Sequence, residues 1–152
     1  YEILSVPYTG FPENVRGDAR KMKEAFSIAL SQAENILQNV DWDSFTDILF
    51  LSKSVGTVVS TVFAKRHHLK VRNILFTPLA ETFSLPTGTA IAFHGTADPW
   101  ADTKQLQQLS EERKVPLFLT EHADHSLETG DVQTDLQILE AVLKQTEHFL
   151  SL

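Results

Sequence analysis

The chain has 152 residues, which suits one domain that buries its own core without help from disulfides or a metal ion. Hydrophobic residues make up 42% and charged residues 22%, the proportions of a globular protein rather than of a disordered or fibrous one. The net charge of −7 repels phosphate groups, so nucleic acids and anionic membranes are poor partners and a small molecule or another protein is favoured.

Cysteine usage and the chain's start bear on where the protein acts. The chain has no cysteine, which excludes disulfides and thiol nucleophiles and fits a reducing compartment. No run approaches the roughly 20 apolar residues of a membrane span, and the chain does not open with the basic segment and apolar run that are typical of a signal peptide. We therefore expect a cytoplasmic protein. The first residue is Tyr1 rather than Met, and we expect a further segment upstream of it.

Apolar runs alternate with segments of helical periodicity from one end of the chain to the other. This alternation predicts a single α/β domain over residues 1–152, with a mostly parallel sheet of about five or more strands and helices on both faces. The predicted strands are residues 3–8, 48–51, 71–77, 90–94 and 116–120. The predicted helices cover residues 22–40, 55–63, 102–109 and 136–150. The strand 48–51 has no polar alternation, so we expect it at the centre of the sheet.

The first candidate for chemistry follows this central strand. Residues 52–57 read Ser-Lys-Ser-Val-Gly-Thr and run directly into a predicted helix. They resemble the G-x-S-x-G nucleophile elbow of the α/β-hydrolase superfamily, with Ser54 as the nucleophile. Such a turn needs small residues two positions before and after the nucleophile; Gly56 supplies one, and Ser52 replaces the other glycine. The alternative is that Ser54 only caps the helix.

The second candidate lies in residues 93–100, at the end of the predicted strand 90–94. The sequence His-Gly-Thr-Ala-Asp resembles the H-G-x-x-D segment of the same superfamily, which points to Asp98 as the acidic residue of a triad. The resemblance implies that this carboxylate orients an imidazole and stabilises its cation. The alternative is an ordinary turn-forming aspartate. We expect His94 to support the loop rather than to react.

The third candidate is the loop after the last predicted strand, Glu-His-Ala-Asp-His-Ser at residues 121–126. It resembles the loop in which the superfamily carries its catalytic base, and His125 matches that base. An imidazole suits the role because its pKa lies near neutrality. His122 is the competitor. A metal site formed by His122, Asp124 and His125 is a further alternative, although one short loop has no helical spacing to aim the ligands.

The three candidates occur in the chain order Ser, Asp, His, each after a different strand, as in the α/β-hydrolase superfamily. The resemblance is closest to its small members without a cap domain. It implies hydrolysis of a small ester or thioester through an acyl-enzyme on Ser54, with the Val55 backbone N–H stabilising the oxyanion and with no metal or organic cofactor. Amide or carbon–carbon bond hydrolysis and a non-catalytic, protein-binding member of the fold are the alternatives, and the oligomeric state is left open.

The second oxyanion donor is not identified by the sequence. Residues 8–12, Tyr-Thr-Gly-Phe-Pro, could supply it. Residues 1–10, however, resemble the strand that follows the oxyanion loop in the superfamily, which would put that loop in an upstream segment of about 20 to 35 residues. We therefore expect a vacant slot beside the strand 48–51, unless residues 1–8 pair there directly.

Overall fold

Strands and helices alternate almost throughout residues 2–152, the part of the chain that the computed structural model describes. The elements are α1 (Ala19–Leu37), β1 (Leu49–Lys53), α2 (Val55–Arg66), β2 (Arg72–Phe76), β3 (Thr89–Gly95), α3 (Thr103–Arg113), β4 (Leu117–Thr120) and α4 (Val132–Leu150), with 3-10 helices at Trp42–Ser44 and Ala80–Ser84. The sheet is wholly parallel, in the order β1-β2-β3-β4. The predicted α/β fold is confirmed.

Aspartates define where three of the helices begin. The Asp18 carboxylate accepts hydrogen bonds from the backbone N–H groups of residues 20 and 21, which starts α1. Asp102 accepts from the N–H of Gln105 at 2.8 Å and starts α3. Asp131 does the same for α4. Each carboxylate satisfies donors that the first helical turn leaves without a partner.

One face of the sheet is covered by α4. In the parallel register Leu51 pairs with Ile74 and Ile74 with Ile91, so these three side chains lie on the same face. Ile74 and Ile91 are buried and pack in one cluster with Val142 and Phe149 of α4. Leu49 of β1 also packs against this cluster, whereas Leu51, on the same face, is 64% exposed.

The other face is covered by α1, α2 and α3. Phe50 packs against a cluster of buried residues from α1 and α2, among them Leu30 and Phe63. Leu75 and Leu106 are fully buried in a second cluster, which joins β2 to α3. Helices therefore cover both faces, as predicted. None of the helices in residues 2–152 is both long and apolar enough to cross a membrane.

The beginning of the chain differs from the prediction. Residues 3–8 form no strand, although their composition is strand-like. A strand needs a partner for its backbone hydrogen bonds, and none lies beside these residues in the described part of the chain. Within residues 2–152, β1 pairs only with β2. It is therefore an edge strand, and the prediction that it is central is wrong for these residues. Tyr1, included in the predicted pairing of residues 1–8, lies outside the described residues.

A groove runs along the free edge of β1. It has a volume of about 740 Å³ and is lined by every residue of β1 and by the N-terminal segment. From that segment it takes alternate residues, Glu2, Leu4, Val6 and Tyr8, which is the spacing of an extended chain that turns one side to the groove. Residues 2–8 thus lie alongside β1 without pairing to it.

Candidate active site

The three candidate residues all follow carboxyl ends of strands. Ser54 comes directly after β1, Asp98 lies three residues beyond β3, and His125 lies in the loop after β4. In a parallel sheet these ends meet at one edge, where α/β proteins bind their ligands. β2 lies between β1 and β3, so Ser54 and Asp98 belong to strands two positions apart.

Ser54 has an unusual backbone conformation, with φ of 55° and ψ of −128°. A residue with a side chain rarely adopts a positive φ, and such a conformation costs about 1–3 kcal/mol, so it persists only where the surroundings fix it. Here the Ser54 N–H donates to the Phe76 carbonyl at 3.0 Å, and the Ser54 carbonyl accepts from the Thr57 N–H at 2.9 Å. The Ser54 side chain makes no capping hydrogen bond. Ser54 thus occupies the N-cap position of α2 without the side-chain hydrogen bond that a capping serine usually makes.

The turn that carries Ser54 is braced from the helix behind it. The Thr57 hydroxyl donates to the Ser54 carbonyl at 2.7 Å and lies 2.6 Å from the hydroxyl of Thr82, which belongs to the 3-10 helix Ala80–Ser84. Thr57 and Thr82 are fully buried. These bonds tie the strained turn to the connection that follows β2.

The residues two positions before and after Ser54 are small and lie at ordinary packing distances from their neighbours. A Cβ atom at Gly56 would lie 3.5 Å from the ring of Tyr8 and 3.8 Å from the Cβ of Ser52. The Ser52 hydroxyl lies 3.1 Å from that of Ser60 on α2. Ser52 therefore fills the position of the motif's first glycine with a side chain that finds a polar partner in the helix.

Asp98 and His125 form a hydrogen-bonded pair. The Nδ1 atom of His125 lies 2.8 Å from Oδ2 of Asp98, and the Asp98 side chain is fully buried while that of His125 is 20% exposed. The second oxygen of Asp98 accepts from the Trp100 N–H at 2.9 Å, which is the hydrogen bond expected of a turn-forming aspartate. Asp98 thus makes the turn and also contacts the histidine. With Nδ1 occupied, Nε2 is the nitrogen of His125 left for other groups.

The structure also separates the two histidines of this loop. The Trp100 ring lies 5.5 Å from the His125 ring, so His125 packs between an aromatic side chain and a buried carboxylate. His122 is exposed, and its backbone N–H donates to the Thr96 hydroxyl at 2.8 Å. Of the two, His125 is the one that contacts Asp98.

The residues of the alternative metal site have other roles. Asp124 accepts hydrogen bonds within its own loop, from the N–H of Ser126 at 2.6 Å and of Glu128 at 3.2 Å. His122 is exposed and His125 faces Asp98. In the part of the chain that the structure describes, no three His, Asp or Glu side chains are grouped as metal ligands are.

His94 is closer to Asp98 than the sequence indicated. Its side chain is fully buried, its Nδ1 lies 3.7 Å from Oδ2 of Asp98, and its Nε2 lies 3.0 Å from the Thr103 hydroxyl. Burial lowers the pKa of His94 from its ordinary value of 6.5, the Asp98 carboxylate opposes that shift, and His125 adds to it. The spacing of four residues to Asp98 was the available signal, but it did not reveal that both histidines converge on the same carboxylate oxygen.

Gly95 joins the two loops that carry Asp98 and His125. A Cβ atom there would collide with the carbonyl oxygen of Ala123 and would lie 2.6 Å from that of Asp124. The Ala97 N–H donates to the same Ala123 carbonyl at 2.9 Å. The glycine lets the end of β3 approach the loop after β4 closely enough for Asp98 to reach His125.

Comparisons with known proteins identify the fold. No protein-family model matches the chain, and no curated protein sequence matches it either. Among solved structures, an alpha-beta serine hydrolase homologue from Coxiella burnetii matches with a TM-score of 0.62 and 16% identity, over 91% of this chain and 65% of its own length. Esterase 2 from Thermogutta terrifontis matches with a TM-score of 0.51 and 18% identity, over 86% of this chain and 63% of its own length.

A third match is an a/b serine hydrolase without lid from Xanthomonas campestris, with a TM-score of 0.50 and 13% identity, over 82% of this chain and 56% of its own length. The chain thus covers less than two thirds of the length of each of these three proteins. Identities of this size establish a shared fold and leave the activity to be argued from the site. The chain has the α/β-hydrolase fold.

The close approach at Gly95 generates a prediction about stability. Replacing Gly95 by alanine should displace the loop that carries His125, because the new methyl group meets backbone atoms that cannot move independently. We expect a lower thermal midpoint, with a loss of about 1–3 kcal/mol as for other overpacked sites. Gly56→Ala is the matched control, since its methyl group would make only ordinary contacts. Equal midpoints for the two variants, measured by thermal denaturation, would contradict this account.

The burial of His94 generates a prediction about pH. Because its pKa is lower in the folded protein than the ordinary value of 6.5, the unfolded chain binds more protons below that pH. The stability that neutral His94 contributes is complete above 6.5 and is lost as the pH falls towards the folded-state pKa. Wild type should therefore lose more stability than His94→Phe between about pH 8 and about pH 5.5, as measured by urea midpoints.

The comparison with His94→Phe isolates this histidine, because the other five histidines of the chain are present in both proteins. The pKa values of Asp18, Asp131 and Glu140 are lowered by hydrogen bonds, but carboxyl groups titrate at more acidic pH. The charged or titratable groups nearest His94 are Asp98, His125 and Asp102, and they are unchanged in the variant. An identical pH dependence in wild type and variant would show that His94 is not the group responsible.

Proposed function

We propose that the protein is a serine hydrolase that cleaves a small ester or thioester through an acyl-enzyme on Ser54. The observation that carries the proposal is the buried Asp98 carboxylate within 2.8 Å of His125, on a fold whose strained strand-to-helix turn carries Ser54. The serine hydrolase homologue and the esterase among the matching structures support the same class of reaction.

In the proposed reaction His125 acts as the base. Its Nε2 takes the proton from the Ser54 hydroxyl as the oxygen attacks the substrate carbonyl carbon, which forms a tetrahedral intermediate. The imidazolium then gives that proton to the leaving alcohol or thiol, and the acyl group stays on Ser54. Water then attacks the acyl carbon while His125 takes its proton, and the imidazolium returns that proton to the Ser54 oxygen as the bond to the acyl group breaks and the acid leaves. Asp98 holds the imidazole by its Nδ1 and stabilises the cation in both steps.

The oxyanion of the intermediate is assigned to the amino end of α2. Val55 is the first residue of this helix, where backbone N–H groups have no partner within the helix and the helix dipole favours negative charge. The Val55 N–H is therefore the proposed donor. The second donor is left unassigned, because no side chain or backbone group in the described residues is tied to this role by a contact.

The proposal is tested by labelling with a fluorophosphonate, which reacts with activated serines. Wild type should be labelled on Ser54, and Ser54→Ala should abolish labelling while the thermal midpoint changes little, since the hydroxyl makes no hydrogen bond as a cap. Ser52→Ala is the matched control, because Ser52 contacts Ser60 rather than the candidate site. Wild-type protein that is folded but unlabelled would leave the non-catalytic, protein-binding alternative, and labelling that persists in Ser54→Ala would remove the assignment of the nucleophile.

The two histidines of the last loop provide a second test. His125→Ala should reduce kcat for a p-nitrophenyl ester by on the order of a thousandfold or more, because the base and its carboxylate partner are both lost to the reaction. His122→Ala should have a small effect, since this side chain is exposed and away from Asp98. The measurement is steady-state hydrolysis by folded variants. A larger loss in His122→Ala would transfer the role of base to His122.

A further inference from the structure

One buried polar atom beside the candidate site has no hydrogen bond. His94 is the last residue but one of β3, and its side chain is fully buried. Its Nε2 atom lies 3.0 Å from the Thr103 hydroxyl, whereas its Nδ1 atom has no hydrogen-bond partner in the described residues. Such atoms are rare in folded proteins, because burial removes their hydrogen bonds to water. The place of this nitrogen therefore calls for an explanation.

The Nδ1 atom of His94 lies beside the carboxylate of Asp98. The distance from this nitrogen to Oδ2 of Asp98 is 3.7 Å, and the same oxygen lies 2.8 Å from Nδ1 of His125. A separation of 3.7 Å is too long for a hydrogen bond, so the ring acts on the carboxylate through its dipole. The side chains of His94 and Asp98 are fully buried, and solvent therefore screens this interaction little.

The two neighbours of the His94 ring favour one of its two neutral tautomers. Burial lowers the pKa of His94, which favours the neutral ring. With the proton on Nε2, the ring donates to Thr103, and the lone pair of Nδ1 lies beside the anionic Oδ2 of Asp98. With the proton on Nδ1, the Thr103 hydroxyl donates to Nε2, and an N–H group lies beside that oxygen. The second tautomer replaces a repulsion by an attraction.

The Nδ1–H group of His94 completes the surroundings of a buried charge. Asp98 accepts one hydrogen bond from the Trp100 N–H and one from His125. A carboxylate removed from water stays ionised only where donors replace its hydration, and each further donor lowers its affinity for a proton. Because His94 and His125 approach one oxygen, the N–H of His94 also weakens the negative potential that His125 experiences.

We propose that His94 is a positioning residue that acts on His125 through Asp98. Its neutral ring carries the proton on Nδ1 and accepts from the Thr103 hydroxyl at Nε2. It stabilises the ionised carboxylate and thereby lowers the affinity of the Asp98–His125 pair for a proton. The inference rests on the proposed function, in which His125 must be neutral to accept the proton of Ser54. His94 thus extends the pH range in which the base is available towards the acid side.

Charged and titratable groups on three elements surround this pair. Those that act on His94 are Asp98 in the turn after β3, Asp102 at the start of α3, and His125 after β4. The other charged or titratable residues of the loop 121–128 are exposed: Glu121, His122, Asp124 and Glu128. All of these groups are retained in the variants at residue 94, so a difference between those variants reports on His94 itself.

The experiment is an NMR titration of the His125 ring in wild type and in two variants, with the resonance assigned by its loss in His125→Gln. His94→Phe keeps the shape of the ring and removes its N–H group. His94→Asn is the matched variant, because its amide N–H can take the place of Nδ1–H beside Asp98. His94→Phe should raise the titration midpoint of His125 by about 0.5 to 1 pH unit, since the carboxylate loses a donor. His94→Asn should stay within about 0.2 pH unit of wild type.

Equal midpoints in wild type and His94→Phe would overturn the proposal. So would a midpoint in His94→Asn that is raised as far as in His94→Phe, because a donor at this position would then have no effect. Proton–nitrogen correlation spectra of the wild-type imidazole rings provide a test that needs no variant, since they show which ring nitrogen carries the proton. The proposal requires the proton of His94 on Nδ1 at about pH 8, above the usual range of histidine titration. A proton on Nε2 would overturn it.

The pH dependence of kcat/KM for a short p-nitrophenyl ester connects this shift with catalysis. The acid limb of the profile should move to higher pH in His94→Phe by the same amount as the NMR midpoint. KM should stay within about twofold of wild type, because the buried ring does not reach the substrate. An unmoved acid limb in an active His94→Phe would overturn the proposal, since a purely structural role changes only stability. A folded wild type that hydrolyses no ester would overturn the proposed function, whereas equal NMR midpoints overturn only the role of His94.

Discussion

The organisation of the site depends on a buried carboxylate. Asp98 is removed from water, and a charge in that position is tolerated only when donors surround it. The backbone of Trp100 supplies one donor and His125 supplies the other, while His94 approaches the same oxygen from within the core. Two of these groups belong to the segment that begins in β3 and one to the loop after β4, so the carboxylate requires the two loops to meet. Gly95 allows that approach, since any side chain there would collide with the loop it must contact.

A second constraint acts at the other end of the site. The backbone of Ser54 is held at a positive φ, which residues with a side chain rarely adopt. Interactions of the neighbouring residues offset the free-energy cost of this conformation. β2 holds the turn through the Phe76 carbonyl, and α2 holds it through the buried pair of Thr57 and Thr82. The result is a hydroxyl that makes no capping bond. The proposed nucleophile thus lies on a strained turn whose conformation is fixed by hydrogen bonds from the neighbouring strand and helix.

Local patterns account for what the sequence could predict. Helical periodicity and the cap at Asp102 depend on neighbouring residues, and so does the alternation of apolar runs that indicates a parallel α/β sheet. The contact of Asp98 with His125 could be anticipated only through the order of motifs, because the residues are 27 positions apart. The strand predicted at residues 3–8 failed because strand formation depends on a neighbour that composition does not reveal. The close approach at Gly95 arises from tertiary structure and left no local signature, while the four-residue spacing of His94 and Asp98 was a local signal that did not reveal their contact.

The free edge of β1 affects the strained turn that follows it, because the strand leads directly into that turn. β1 ends in the residue that precedes Ser54, and within residues 2–152 it is hydrogen-bonded on one side only. A strand held by a single ladder can twist and fray more easily than one held on both sides. The fixed conformation of Ser54 requires a strand that does not move. The hydrogen bond from the Ser54 N–H to the Phe76 carbonyl of β2 therefore fixes the end of β1 at the turn that carries the proposed nucleophile.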